Sequence, residues 1–330
     1  MRISAIQQDS STLKVDERPI PTIQEDEVLL KVKACGLCGT DILKVQKKSA
    51  KPGTVLGHEV SGIVEDSKNL KFQKGDRVVV AHHVPCFECH FCRHENFSMC
   101  AQFKKTNLDP GGFAEFLRIP QEHVAHTAFK LPDHLSFEEA SFVEPIACCL
   151  RAVKRSQLLK GDSCLVIGLG SIGLILVQIL HHFGIQTFAT DLIPSRVELA
   201  QTFGAQKFSP DILSKLPTKG FDMLLFTAGN EALLNTSLSW VRDGGKIHLF
   251  SSLSGGEDLK FDFNQVYHRE LEIFSTYSSA PTELRESLDL LTQGHLSVKP
   301  LISSSISLSD IPLAIEQTLK QQILKAIVIP

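Results

Sequence analysis

The fold of this chain is decided at residues 163–173, which read SCLVIGLGSIG. The first five residues form a short, mostly apolar run, as a buried strand requires. Glycines follow at Gly168, Gly170 and Gly173, and the apolar spacing of a helix continues beyond them. We therefore predict a strand, a tight glycine turn and a helix in direct succession.

Strands and helices keep alternating after this stretch. Further strands are predicted at 187–190, 223–226, 246–250 and 272–275, and helices at 146–155, 172–183, 195–203, 233–241 and 283–291. These strands are apolar throughout, which is typical of a parallel sheet covered by helices on both faces. A last strand is predicted at 326–329.

Residues 1–145 read instead as β-rich. Val28 to Ala34 alternates as a strand does, and shorter strands are predicted at 62–66 and 76–80. A chain of 330 residues is long for a single core, so two domains are expected. The predicted fold class is α/β, with a β-rich domain and a doubly wound parallel-sheet domain.

Composition excludes several classes of function. With 43% apolar and 22% charged residues the chain is of ordinary globular type, and a net charge of −3 offers no basic surface for nucleic acid. No run of eighteen uncharged apolar residues predicts a membrane span, and the N-terminus lacks the apolar segment of a secretion signal. We expect a cytoplasmic protein with neither a nucleic-acid nor a membrane partner.

The glycine turn has the context of a dinucleotide-binding fingerprint, because Asp191 follows eighteen residues after Gly173 at the end of the next predicted strand. The unpaired N–H groups that open the helix would face the pyrophosphate. A carboxylate accepts hydrogen bonds from a ribose diol and repels a 2′-phosphate, which favours NAD over NADP, with Arg196 as a possible counter-signal. The predicted cofactor-binding residues are Gly168, Gly170, Ser171, Ile172, Gly173, Asp191 and Arg196.

Four of the nine cysteines stand close together in C-x2-C-x2-C-x7-C spacing. Four thiolates close a tetrahedral zinc site completely, so this site is predicted to be structural. The alternative is a set of buried thiols or two disulfides, which is less typical of a chain without a secretion signal. The predicted ligands are Cys86, Cys89, Cys92 and Cys100.

A second, open metal site is predicted from residues on separate strands. A catalytic zinc takes three protein ligands and keeps one position free. Cys38 and His58 are the first two predicted ligands, and the third is either Glu59 or Glu144, with the other carboxylate working through water. Asp41 is a candidate acceptor for the His58 ring N–H. His82 and His83 could line the pocket, although histidines at such a strand end are more often structural.

In these motifs the chain resembles the zinc-dependent medium-chain dehydrogenases, and the match covers nearly the whole sequence in order. Glu144-Pro145 is similar to the sorbitol (polyol) and threonine dehydrogenase branch. The resemblance rests on Gly36-x-Cys38-Gly39-Thr40-Asp41, Gly57-His58-Glu59-x2-Gly62, Gly75-Asp76-Arg77-Val78, the four-cysteine loop, Gly112-Phe113-Ala114-Glu115-Phe116, Glu144-Pro145, the glycine turn and Asp191.

The resemblance implies a GroES-like catalytic domain over 1–146, a Rossmann NAD-binding domain over 147–279 and a return to the catalytic domain over 280–330. It also implies a homo-oligomer, a tetramer or a dimer. Thr40 would take the substrate proton. Relatives often carry a histidine five residues after the cysteine ligand to pass that proton on, and here the position is Leu43. The outer route would then run through the nicotinamide ribose, water or Glu144.

We therefore predict an NAD-dependent enzyme with two Zn²⁺ per chain that oxidises a small-molecule secondary alcohol: a polyol, sugar alcohol or cyclitol. One alternative is an L-threonine 3-dehydrogenase or a general alcohol dehydrogenase. Another is a protein that binds NAD and zinc without catalysis, which would not need the open metal site.

Overall fold

The computed structural model describes residues 1–7, 10–252 and 260–330, which form two compact units. Unit 1 comprises Met1–Ala147 together with Ser279–Pro330, and unit 2 comprises Cys148–Ser278. Within the described part of the chain, no helix has both the length and the apolar character needed to cross a bilayer.

The strands and α-helices are numbered in chain order. The strands are β1 (Arg2–Gln7), β2 (Ser10–Glu17), β3 (Val28–Gly36), β4 (Thr54–Val55), β5 (Glu59–Ser67), β6 (Arg77–Ala81), β7 (Phe116–Ile119), β8 (Ala128–Lys130), β9 (Ser163–Ile167), β10 (Gln186–Thr190), β11 (Gln206–Lys207), β12 (Phe221–Phe226), β13 (Val241–Leu249), β14 (Glu272–Ser275), β15 (Ile302–Ile306) and β16 (Lys325–Val328). The helices are α1 (Gly39–Gln46), α2 (His90–Arg93), α3 (Gln121–His126), α4 (Phe137–Ala140), α5 (Val143–Ser156), α6 (Ser171–His182), α7 (Pro194–Thr202), α8 (Glu231–Ser237), α9 (Phe263–His268), α10 (Pro281–Thr292) and α11 (Ile311–Leu319).

Unit 1 contains a sheet in the order β15-β16-β3-β5-β6-β8, in which β7 also pairs with β3. A second, smaller sheet has the order β2-β1-β4. The centre of the larger sheet is antiparallel, and Val28, Leu30 and Val32 of β3 alternate into the core. Its register places Gly36 opposite both Glu59 of β5 and Ile327 of β16. Residues from both ends of the chain therefore meet on adjacent strands.

Unit 2 contains the predicted doubly wound sheet, which is parallel throughout and has the order β11-β10-β9-β12-β13-β14. Every residue of the central strand β9 is buried, as expected for a strand covered on both faces. Asp222 of β12 ties three strands together. Its carboxylate accepts hydrogen bonds from the backbone N–H and the hydroxyl of Ser163 at 2.7 and 2.8 Å, and from Arg242 Nε at 2.6 Å.

The predicted strands and helices are found at their predicted places, with one exception in unit 2. The helix predicted over 233–241 ends at Ser237, a 3₁₀ turn follows over Leu238–Trp240, and Val241 opens β13. The prediction was wrong here because Val241 belongs to strand β13 of the sheet, where it pairs with Phe221. When a buried strand follows a helix closely, the spacing of apolar residues alone does not show where the helix ends and the strand begins.

Candidate metal centres and cofactor site

The four predicted thiols of the cysteine loop converge in unit 1. Their Sγ atoms all lie within 4.8 Å of one another, with Cys86 3.9 Å from Cys92, Cys89 3.5 Å from Cys92 and Cys100 3.6 Å from Cys86. A zinc–sulfur bond of about 2.3 Å in a tetrahedral site sets the sulfurs about 3.8 Å apart. The four cysteines are not joined in disulfides, so the disulfide alternative is not formed. The thiols fit a closed zinc site.

Local electrostatics favour the thiolate at Cys100 and the neutral thiol at Cys92, where burial and hydrogen bonds with the other three thiols raise the pKa to about 12. Burial alone would raise the pKa of Cys100, but hydrogen bonds from the backbone N–H groups of Cys86 and Phe103 lower it to about 6. Phe103 is 2% exposed and packs against the cysteines as a small apolar cluster of its own. The loop therefore has a shielded thiol centre, although it contains little regular structure.

Cys38, His58 and Glu59 also converge in unit 1, with one ligand atom from each within 4.8 Å of the others. Cys38 precedes α1, His58 precedes β5, and Glu59 is the first residue of that strand. A thiol, an imidazole and a carboxylate form a donor set that zinc accepts in open sites. The metal role of this cluster, like that of the four thiols, stays a prediction.

Asp41 holds two members of this cluster in position. Its Oδ2 accepts a hydrogen bond from the Cys38 backbone N–H at 3.2 Å, and its Oδ1 lies 3.4 Å from His58 Nδ1. Burial alone would lower the pKa of His58, but the charges of Asp41 and Cys38 raise it well above its ordinary value. The surroundings of the imidazole therefore favour a positive charge, which is what a bound cation supplies.

Glu59 has a second partner that sequence reasoning missed. Lys325 Nζ lies 2.7 Å from Glu59 Oε1 and 2.5 Å from Oε2, and the two side chains are only 5% and 1% exposed. A Cβ at Gly36 would lie 1.9 Å from Glu59 Oε2 and 3.0 Å from the Lys325 side chain, so only glycine leaves room for this ion pair. A lysine opening an otherwise apolar terminal strand was the one available signal, and its partner is 266 residues away.

The remaining predicted catalytic residues lie outside this three-residue group. Glu144 is buried in the first turn of α5 and lines a narrow crevice with Val60 and Ala81. Thr40 is exposed in the first turn of α1. Leu43 is also exposed and continues that helix. The structure thus brings Glu59, rather than Glu144, together with Cys38 and His58.

In unit 2 the glycine turn joins β9 to α6 as predicted. Gly168 has a φ of +91°, which favours glycine, and its Cβ would lie 2.7 Å from Thr227 Oγ1. A Cβ at Gly173 would lie 2.0 Å from the Gly168 carbonyl oxygen. A Cβ at Gly170, by contrast, would have no atom within 4 Å. The backbone at Gly170 is therefore open to a ligand, and Ser171 and Ile172 open the helix beside it.

Asp191 lies directly after β10, and both of its carboxylate oxygens are held by backbone N–H groups. Oδ2 accepts from Leu169 at 2.5 Å and Oδ1 accepts from Ile193 at 2.8 Å. The charge is thereby fixed beside the glycine turn, where a dinucleotide ribose is expected. Arg196 is half-buried in the first turn of α7.

Comparison with known proteins gives consistent matches over both units. Residues 24–133 match the alcohol dehydrogenase GroES-like domain, and residues 171–293 match the zinc-binding dehydrogenase family. Sorbitol dehydrogenase of Bacillus subtilis (strain 168) is 31% identical over 347 residues, which cover 99% of this chain and 97% of that protein.

Two solved structures are similar along the whole chain. Galactitol-1-phosphate dehydrogenase from Escherichia coli has 28% identity and a TM-score of 0.85, with all of both chains covered. A structure from Sinorhizobium meliloti 1021, described as a zinc-binding dehydrogenase bound to NADP, has 27% identity and a TM-score of 0.88, again with all of both chains covered.

Proposed function

We propose that this chain, which belongs to the family of zinc-dependent medium-chain alcohol dehydrogenases, oxidises a secondary hydroxyl of a polyol, sugar alcohol or cyclitol with NAD as hydride acceptor. Family membership makes it a zinc-dependent dehydrogenase with a nicotinamide cofactor, a GroES-like domain and a Rossmann domain. The observation that carries the proposal is the convergence of Cys38, His58 and Glu59 on one point. The similarity to sorbitol dehydrogenase supports the substrate class.

In the proposed mechanism, Cys38, His58 and Glu59 would hold a zinc ion, which would supply Lewis-acid polarisation of the alcohol oxygen and make its proton easier to lose. Thr40, exposed in the first turn of α1, accepts that proton through its hydroxyl. Asp41 keeps the His58 ring oriented, and Lys325 holds the Glu59 carboxylate in place. A bound NAD would supply the hydride acceptor, so that oxidation of the alcohol to a ketone would be balanced by NADH and one proton.

We assign Glu59 as the third zinc ligand and give Glu144 a role through water. Glu59 shares the three-residue cluster, whereas Glu144 lies in the neighbouring crevice. Leu43 has no group that can carry a proton. The proton would therefore leave Thr40 by way of the nicotinamide ribose, water or Glu144. The four-thiol site holds the second zinc, which ties down the cysteine loop and takes no part in the reaction.

NAD is proposed over NADP because the Asp191 carboxylate is fixed beside the glycine turn by two N–H groups. A 2′-phosphate there would meet a charge of the same sign. Fluorescence titration should give a dissociation constant at least tenfold lower for NADH than for NADPH, and Asp191→Ala should remove most of that difference. Equal affinities in the parent protein would contradict the assignment.

We further propose a homo-oligomer in a reducing compartment, the cytoplasm. β14 is the last strand of the unit 2 sheet, and Tyr267 and Phe263 of the preceding helix are 79% and 70% exposed. An exposed sheet edge with aromatic neighbours is suited to pairing with a second copy. Nine cysteines without a disulfide among them suit a reducing compartment. Light scattering coupled to gel filtration should give a dimer or a tetramer.

The function is tested by following NADH formation across diols, hexitols, inositols and amino acids, including L-threonine. We expect turnover with polyols and none with threonine. Cys38→Ser should abolish turnover and remove one of two zinc ions per chain while NADH binding survives. Cys148→Ser, a cysteine of unit 2 outside both clusters, is the matched control. Full activity in Cys38→Ser, or a single zinc in the parent protein, would refute the proposal.

A further inference from the structure

Three imidazole rings lie in a row beside the Cys38–His58–Glu59 cluster. The ring centroids of His58 and His82 are 4.6 Å apart, and those of His82 and His83 are 3.8 Å apart. The pairing of β5 with β6 explains the first contact. Glu59 is opposite Ala81 in that register, so His58 and His82 lie opposite each other just beyond the paired ends. The pairing of β5 with β6 therefore places the His82 side chain next to the cluster.

The backbone of His82 is held by a hydrogen bond in which the His82 ring takes no part. The His82 carbonyl accepts a hydrogen bond from His123 Nε2 at 2.9 Å, and His123 is fully buried. On the far side, His83 Nδ1 lies 2.7 Å from the Thr106 carbonyl, so that ring is also held. The His82 ring therefore lies between the rings of His58 and His83, and its backbone is held by the buried His123.

The ring nitrogens differ in how they are satisfied. His82 Nδ1 is shielded from water and has no hydrogen-bond partner among the described residues. His123 and His248 also leave Nδ1 unpaired, but each has its other nitrogen hydrogen-bonded and lies fully inside the protein. His82 is instead half-buried and faces a proposed metal ligand. An unpaired buried polar atom in a native structure needs an explanation, and a role in binding or catalysis is one such explanation.

We propose that His82 is a specificity-determining residue that hydrogen-bonds the hydroxyl next to the one being oxidised, so that the enzyme selects vicinal diols over simple alcohols. This inference rests on the proposed function. An imidazole offers one donor and one acceptor nitrogen, and a hydroxyl can pair with either. The half-buried ring can offer a nitrogen to a hydroxyl on the adjacent carbon, whereas a monohydric alcohol has no hydroxyl there to pair with it.

The test compares butane-2,3-diol with butan-2-ol, which differ only by the second hydroxyl. The parent enzyme should have the higher kcat/KM for the diol. His82→Phe keeps a ring of similar shape without nitrogens and should lower the diol/alcohol ratio of kcat/KM about tenfold, as the loss of one hydrogen bond predicts. His82→Gln, which keeps a donor and an acceptor, should restore part of the ratio, and His83→Phe is the matched control.

A second readout does not depend on turnover. Dissociation constants of both alcohols for the enzyme–NADH complex, measured by NADH fluorescence, should shift for the diol alone in His82→Phe. Zinc should stay at two per chain in every variant. An unchanged ratio in an active His82→Phe would overturn the inference, as would loss of a zinc ion, which would make His82 a ligand. A parent enzyme that oxidises no alcohol at all would instead refute the proposed function.

Discussion

Replacing Lys325 by methionine removes the only charge-bearing atom that lies within 3 Å of the Glu59 carboxylate among the described ion pairs. Methionine keeps most of the aliphatic stem but loses the Nζ atom, which also lies 5.8 Å from the centroid of the Phe142 ring. With side chains 5% and 1% exposed, water cannot take over the role of the ammonium group. Removing one partner of a buried ion pair costs about 3–5 kcal/mol. For a unit of this size that corresponds to a fall in Tm of roughly 6–20 °C.

The effect should depend on the metal. A zinc ion bound beside Glu59 supplies positive charge of its own, so the loss of stability should be smaller in the zinc-loaded protein than in the metal-free protein. Differential scanning calorimetry of both forms measures this difference. Adding Glu59→Gln to Lys325→Met removes the stranded charge and should recover most of the Tm of the metal-free protein, because the cost comes from an unpaired charge.

Lys320→Met is the matched control. Lys320 pairs with Glu316 at 2.5 Å, but both side chains are more than half exposed, at 59% and 58%. Exposed pairs on one helix contribute about 0.3–0.5 kcal/mol, so this variant should unfold within about 2 °C of the parent. If Lys325→Met is no less stable than Lys320→Met, or if the double variant is as unstable as Lys325→Met alone, the buried pair does not have the role argued above.

Three further predictions follow from other contacts. Gly36→Ala should displace the Glu59 carboxylate and lower the zinc content from two toward one per chain, whereas Gly39→Ala, whose Cβ would meet nothing within 4 Å, should keep both ions; equal zinc contents would refute this. Cys92→Ser should lose one zinc and make the cysteine loop much more sensitive to trypsin, since that metal ties down a loop with little regular structure; an equally resistant loop would argue against a structural zinc. Burial alone would raise the pKa of Asp222, but its N–H, hydroxyl and guanidinium donors lower it, so its stabilisation is present above about pH 4 and is lost as the pH falls below that. Asp222→Asn should therefore cost about 1–2 kcal/mol in urea unfolding at pH 7 and progressively less as the pH is lowered below about 4; a difference that does not shrink in acid would contradict the assignment.

Local features of this protein could be predicted from the sequence because their causes are local. The strand, glycine turn and helix over 163–182 follow from apolar runs and from a backbone that only glycine adopts at residue 168. The four thiols lie within fifteen residues of one another, so spacing alone predicts that they meet. The boundary at Val241 failed because the sheet, through pairing with Phe221, decides that residue's conformation.

The sequence predicted only part of the open metal site. Residue types pointed to Cys38, His58 and one of two glutamates, since these are the donors that zinc prefers, but chain order could not choose between Glu59 and Glu144. The tertiary structure groups Glu59 with the other two and adds Lys325, a partner 266 residues away. That contact exists because β16 and β5 pair with the same end of β3, and strand pairing over such distances in the chain is decided by the folded core. The sequence thus determined which chemistry the protein can hold, while the register of distant strands decided which side chains hold it.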